Sequence, residues 1–208
     1  MAACKMNENS QKIEKIVELL KESDELTAIQ LIQSEYIDIN SYSHSGKTLL
    51  MEAISYHCHK VIDYLLDRKA NANLENKGGE DEGTPALFIA MWYKNRELVE
   101  KLLSLGVNIN VLDSYENTPL AWASSVGDFL FVKMLLNKGA DINISDKLGR
   151  TPLILACRNT ENIEVVKLLI QSGANVKTKD TIGWSCLDYA EALERGDIVE
   201  LINEVNSQ

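Results

Sequence analysis

Residues 113–149 read DSYENTPLAWASSVGDFLFVKMLLNKGADINISDKLG, and residues 150–153, RTPL, begin the same phrase again. Asp113 recurs as Asp146 and Thr118 as Thr151, each 33 residues on (146 − 113 = 33; 151 − 118 = 33). A period of this length signals stacked supersecondary units rather than one closed core. Within the unit, Thr118 reads as a helix N-cap and Pro119 as the first helical residue, where the missing N–H costs nothing. Leu120, Ala123, Ser124 and Gly127 then share one face at helical spacing, and the small residues admit a neighbouring helix closely. Val132, Leu135 and Leu136 mark a second apolar stripe, which Gly139 ends as a left-handed cap before the extended segment ADINIS. One unit is therefore a helix, a turn, a second helix and a projecting hairpin.

TPLAWAS, FVKMLLNKGADIN, TPLILAC and VVKLLIQSGANVK repeat this arrangement in register over most of the chain. The pattern resembles the ankyrin repeat, whose consensus runs D-x-x-G-x-T-P-L-H-x-A-A and then V-V-x-L-L-L-x-x-G-A-D-V-N. The resemblance implies an all-α repeat solenoid of helix-turn-helix units with projecting β-hairpin loops. It also implies non-catalytic recognition of a protein partner, as adaptor, scaffold or inhibitor. One departure is consistent: the family's His after TPL is Met51, Phe88, Ala121, Ile154 and Asp188 here. That His ties neighbouring hairpins together in the family, so looser ties are expected in this chain.

The chain has 208 residues, 45% of them hydrophobic, and a formal net charge of −10, which suits a soluble domain with a sizeable core. The acidic balance argues against nucleic acid, whose phosphates are met by clustered Lys and Arg. MAACKMNENSQ lacks the apolar region of a signal peptide, and no stretch approaches the ~20 apolar residues of a membrane span. A cytoplasmic monomer is expected, although nuclear residence, or non-classical secretion by an intracellular bacterium or protist as an effector on host proteins, is compatible with this sequence. Cys4, Cys58, Cys157 and Cys186 lie far apart without a CxxC pair, so reduced thiols are expected. The sequon Asn143-Ile144-Ser145 should accordingly stay unglycosylated.

Taken in order, residues 1–9 read as a flexible N-terminus and 10–208 as a single repeat domain. Its units are an N-terminal capping repeat (10–43), four repeats (44–78, 79–112, 113–145, 146–179) and a C-terminal capping repeat (180–208). Ile13, Ile16, Val17 and Leu20 line the first helix, and Leu26, Ile29, Leu31 and Ile32 form a second ending near Ser34. The second unit has Leu49 where Pro is usual and Lys69 where Gly is usual. Thr84 opens the third unit after an insertion, NKGGEDEG, at the hairpin tip, with Ala86 as a surplus residue relative to the fourth. The fifth unit carries one extra residue in the turn near Arg158 to Asn162. Glu191, Glu194, Arg195, Glu200 and Glu204 give the last unit the polar face of a cap.

Signals for chemistry are weak. Gly46-Lys47-Thr48 matches the end of a phosphate-binding loop, but the first glycine is missing and Gly149-Arg150-Thr151 fills the same slot in a later repeat. His57, Cys58 and His59 carry metal-ligand chemistry, yet adjacent residues point apart and no second ligand pair follows. Glu80, Asp81 and Glu82 read as a solvated loop. No nucleophile, base and orienting acid share a readable spacing, so no enzyme activity, cofactor or metal is expected.

Binding is better supported. With Leu120 inward, a 100° step turns Trp122, Ser125 and Val126 outward. The equivalent residues are Ser55 and Tyr56; Ile89, Trp92 and Tyr93; Leu155, Arg158 and Asn159; Tyr189 and Leu193. By family resemblance these line a concave groove, joined by hairpin-tip residues that include Tyr115, Lys147, Leu148, Arg150, Ile182 and Trp184. The expected partner-binding set is Tyr56, Trp92, Tyr93, Tyr115, Trp122, Val126, Leu148, Arg150 and Arg158, rich in the aromatic and Arg side chains that anchor interfaces. The resemblance also implies that Asn40, Asn73, Asn110 and Asn143, which close the D-V-N-like segments, could be hydroxylated in a regulatory scaffold.

Overall fold

A computed structural model of the chain, describing residues 8–79, 82–159 and 162–206, contains twelve helices in six antiparallel pairs and no strand among those residues. Its contacts form two compact units, Met1–Val107 and Asn108–Gln208. The first holds α1 (Glu8–Lys21), α2 (Glu25–Ser34), α3 (Leu49–Ser55), α4 (His59–Asp67), α5 (Ala86–Trp92) and α6 (Arg96–Ser104). The second holds α7 (Pro119–Ser125), α8 (Phe129–Asn137), α9 (Pro152–Asn159), α10 (Ile163–Gln171), α11 (Cys186–Ala192) and α12 (Gly196–Asn206). In each unit the first helices of successive pairs pack side by side, α1 on α3 on α5 and α7 on α9 on α11. Second helices make another layer, α2 on α4 and α8 on α10 on α12.

Side-chain caps fix where many of these helices start. Thr118 Oγ1 accepts from Ala121 N at 3.1 Å, Thr48 Oγ1 from Met51 N at 3.3 Å and Thr151 Oγ1 from Ile154 N at 3.4 Å. Asn95, Asp128 and Asn162 cap the second helices in the same way. Those helices end on a left-handed residue, with Gly106, Gly139 and Gly173 at φ 83°, 87° and 95° and Lys69 forced into the same region at 62°. Most residues of the apolar stripes read from sequence lie in the core: Ile13, Ile16, Val17 and Leu20 of α1 are buried, as are Leu120, Ala123, Ser124, Val132 and Leu135, whereas Gly127 and Leu136 are half-buried.

Several details depart from expectation. Helix α1 begins at Glu8, inside the segment expected to be flexible, while residues 1–7 lie outside the described residues. Leu26 is exposed, and Ala28 takes the inward position in α2. Three of the hairpins are closed by isolated bridges, Tyr42 to Thr48, Glu75 to Pro85 and Lys179 to Ser185. Those bridges span 6, 10 and 6 residues (48 − 42, 85 − 75, 185 − 179), so the second hairpin carries four extra residues. Pro85, not Thr84, therefore stands at the capping position of α5, and Ala86 is its first residue rather than a surplus one. The displaced Thr84 hydroxyl is buried without a hydrogen-bond partner.

Neighbouring hairpins are joined despite the missing family His. In one unit Lys77 N donates to Gly46 O at 2.8 Å, and in the other Thr181 N donates to Leu148 O at 2.9 Å. An added Cβ on Gly46 would collide with the Lys77 and Gly78 backbone, so close approach of the two hairpins requires this glycine. Asn side chains supply further ties. Asn40 Oδ1 accepts from Asn71 N at 2.8 Å, Asn110 Oδ1 from Asp141 N at 3.0 Å and Asn143 Oδ1 from Asn175 N at 3.2 Å. Three residues expected as hydroxylation sites thus hold the next loop.

Candidate functional site

Each hairpin is built on a polar residue at its base. Asp113 Oδ1 accepts from Tyr115 N and Asn117 N at 2.9 and 2.8 Å, Asp146 Oδ1 from Leu148 N and Arg150 N at 2.9 Å each. Asp180 Oδ1 does the same for Ile182 N and Trp184 N at 3.1 and 3.0 Å. This turn throws the residue two places after each Asp into solvent: Tyr115, Leu148 and Ile182 are 64%, 44% and 69% exposed. Three apolar side chains thus repeat at one position of successive hairpins in the unit Asn108–Gln208.

The helix position expected to face outward behaves differently at its N-terminal end. Ile89 and Leu155 are buried and Trp122 is half-buried, because this position lies beneath the hairpin of its own repeat. At the same place in α3, Glu52 Oε1 accepts from Ser43 Oγ at 2.6 Å and Ser45 Oγ at 2.7 Å. In α11 it is Tyr189, whose hydroxyl donates to Asp180 Oδ2 at 2.7 Å. Acid and hydroxyl have exchanged sides, and the hairpin is tethered either way. Burial works to raise the Asp180 carboxyl, but donation from Tyr189, Trp184 and Ile182 outweighs it and holds the group below its ordinary value. That bond to Asp180 pushes the Tyr189 phenol up.

The C-terminal ends of the first helices do face solvent. In the unit Asn108–Gln208, Val126, Arg158 and Leu193 are exposed there. Arg158 lies over the Tyr189 ring, 5.9 Å from its centroid, and Trp184 meets the same ring edge-on at 5.0 Å. Arg150 is committed locally, its Nε and Nη2 lying 2.7 and 2.5 Å from Asp146 Oδ2. In the unit Met1–Val107, Tyr56 and Trp92 are half-buried and Tyr93 is exposed. Tyr93 meets His57 edge-on at 4.7 Å, and Trp92 tilts against Phe88 at 6.4 Å. Residues 80 and 81 of the acidic tip lie outside the described residues.

His57, Cys58 and His59 diverge. His57 occupies the inter-helix turn at φ 58°, and the Cys58 thiol turns inward to donate to Leu20 O at 3.3 Å. Burial pushes that thiol up, the opposite of what a nucleophile requires. Among the described residues no three His, Cys, Asp or Glu side chains converge to hold a metal ion, and no helix is long and apolar enough to cross a membrane.

Comparison with known proteins agrees with this architecture. The family model described as ankyrin repeats (3 copies) matches residues 1–113, 70–146, 87–180 and 120–208. The chain is 24% identical over 116 residues to an alpha-latrotoxin of Latrodectus geometricus, covering 53% of this chain and 8% of the toxin. It is 31% identical over 178 residues to a phosphocholine transferase of Legionella pneumophila, covering 84% of this chain and 17% of the transferase. It therefore spans less than a fifth of either relative. A chain in the solved complex of a predatory endopeptidase from Bdellovibrio bacteriovorus with an immunity protein superposes at a TM-score of 0.76 and 26% identity, over 91% of this chain and 96% of that one. With matches that cover every repeat, the chain belongs to the ankyrin-repeat family.

Proposed function

We propose that the chain is a non-catalytic protein-binding module that engages a protein partner through its hairpin tips and the C-terminal ends of its first helices. The observation that carries this reading is the row Tyr115, Leu148 and Ile182, exposed at equivalent tips of three successive repeats. Apolar side chains held in water at one repeated position contribute little to this chain's own packing, whereas interfaces bury such residues at their centres. Val126, Trp184 and Leu193 extend the apolar surface of the same unit. Arg158 and Lys147, both exposed, add positive charge that orients an acidic partner segment and speeds its encounter.

The test is affinity capture from lysates with wild type, with a Tyr115→Ser, Leu148→Ser, Ile182→Ser variant, and with a Tyr56→Ala, Trp92→Ala, Tyr93→Ala, Tyr115→Ala variant. Circular dichroism first establishes that each variant folds. A partner held by wild type and lost by the first variant supports the tips, and loss by the second alone moves the site to the unit Met1–Val107. Retention by both removes the proposal. For a captured partner, Arg158→Glu should slow association with little change in dissociation.

The likeness to a chain from an endopeptidase complex with an immunity protein favours one version, in which binding covers a partner's working surface. Stoichiometric addition should then abolish the captured partner's activity. A partner that stays active makes the chain an adaptor or scaffold instead.

A further inference from the structure

Tyr115, Leu148 and Ile182 stand on hairpins whose first helices pack side by side, α7 on α9 on α11, and helices packed in this way lie about 8–10 Å apart. The last two hairpins keep that step, joined where Thr181 N donates to Leu148 O at 2.9 Å. Beside the apolar tips the exposed neighbours are polar: Glu116 next to Tyr115, Lys147 next to Leu148 and Thr181 next to Ile182. A ligand crossing the row therefore meets one apolar contact per repeat, with polar side chains between. On the reading that these tips bind a partner, we propose that what they receive is a linear peptide segment in the polyproline II conformation. It carries an apolar residue at every third place and an acidic residue beside the central one.

Three backbone geometries compete for a step of this length. A β-strand returns a side chain to one face every second residue, about 6.6 Å, and is out of step by the second tip. An α-helix buries a broad apolar stripe, so it needs apolar partners in the gaps that Glu116, Lys147 and Thr181 occupy. Polyproline II presents the same face once per turn of three residues, about every 9 Å. That repeat matches the step between tips, and about seven residues span all three. Its backbone is fully solvated, so it requires no sheet edge to pair with. Trp184, exposed and edge-on to the Tyr189 ring, offers the aromatic surface on which proline rings dock.

Charge places the acidic residue. The chain carries −10 overall, yet Lys147 and Arg158 of the middle repeat are both exposed. Arg150 is committed to Asp146, whereas Arg158 rests over the Tyr189 ring and has no ion pair among the described residues. A carboxylate on the segment can take the Arg158 fork bidentately. Glu116 beside the first tip and Glu194 beyond α11 bracket these cations and repel acid at either end of the segment.

A phage-displayed library of random 12-residue peptides is panned on the full chain. The counter-target is the Tyr115→Ser, Leu148→Ser, Ile182→Ser variant, its folding established by circular dichroism. The expected sequences have three apolar residues spaced three apart, proline between them, and Asp or Glu beside the central one. The most enriched peptide, synthesised with a fluorescent label, should bind about tenfold or more weakly to Leu148→Ser and to Arg158→Glu. Inserting one residue after its central apolar position should cost wild-type binding as much, because the insertion breaks the register. Apolar residues spaced two apart, a helical pattern without proline, or a peptide that tolerates the insertion overturns the proposal. Panning that enriches nothing also overturns it. If affinity capture then still yields a tip-dependent partner, the tips bind a folded surface and only the peptide is lost. Equal enrichment on wild type and the triple variant refutes the tips themselves. The insertion control uses wild type alone, so it decides even where a variant fails to fold.

Discussion

Cys58 stands where Asn95, Asp128 and Asn162 cap the equivalent second helices, but it makes no cap bond. Glu25, from the preceding repeat, supplies one instead: its Oε2 accepts from Lys60 N at 2.6 Å and Val61 N at 3.2 Å. The carboxylate also meets the positive end of the α4 dipole. Glu25→Ala should therefore cost about 1 kcal/mol, read from the urea midpoint, and an unchanged midpoint would mean water replaces the cap without loss. Lys69 tests the opposite sign. At φ 62° it holds a conformation that Gly106, Gly139 and Gly173 adopt freely, so Lys69→Gly should raise stability by roughly 0.5–1 kcal/mol in the same assay. A loss there would show that the lysine stem contributes packing worth more than the strain. These two residues also differ in legibility. Lys69 stands out in the sequence because it occupies a slot the other repeats fill with Gly, whereas Glu25 caps a helix 35 positions away (60 − 25 = 35) and nothing in its neighbourhood announces it.

The last hairpin and α11 form one element tied by two carboxylates. Asp180 is held below its ordinary value against the pull of burial, and Asp188 is held low by the Ser185 hydroxyl and backbone N–H, both of which donate to it. A carboxyl depressed in the folded state contributes stability that is present above its unfolded pKa, about 3.9, and lost as pH falls through the lower folded value. The last repeat should therefore loosen below about pH 4, seen as earlier hydrogen exchange of α11 and α12 than of α7. Asp180→Asn with Asp188→Asn should flatten that dependence, and an undiminished acid response would place its origin elsewhere. Sequence periodicity locates this element well, since Thr118, Thr151 and Ser185 mark the starts of successive first helices. It misplaces Ile89 and Leu155, because a 100° step on an isolated helix ignores the hairpin folded over its first turn. It also misses the third unit's true start, because Thr84-Pro85 copies the family dipeptide one position early, and the shift emerges from the bridge Glu75 to Pro85.

Across the molecule, stability in a repeat array is a sum of individual repeats and nearest-neighbour interfaces, without one central core to lose. That organisation is readable from a 33-residue period alone, because each helix pair must bury its apolar stripe on the next pair. Some contacts between successive repeats are not readable, since they join residues roughly one period apart whose types do not repeat: Glu25 with Lys60, Ser125 with Asn159, Gly127 with Asn162. The same additivity makes a specific forecast. Leu135 of α8 is fully buried, so Leu135→Ala should remove about 2–5 kcal/mol through lost burial and the cavity left behind. Helix α8 packs on α7 and α10, so their exchange protection should fall with its own. Protection in α11 and α12, one repeat further on, should fall less, because the perturbation reaches them only through the interfaces of the intervening pair. Site-resolved hydrogen exchange on wild type and variant separates the alternatives. A graded loss fits coupled neighbours, while an equal loss in every helix of Asn108–Gln208 would mean that this unit unfolds as one indivisible core and that additivity fails at this scale.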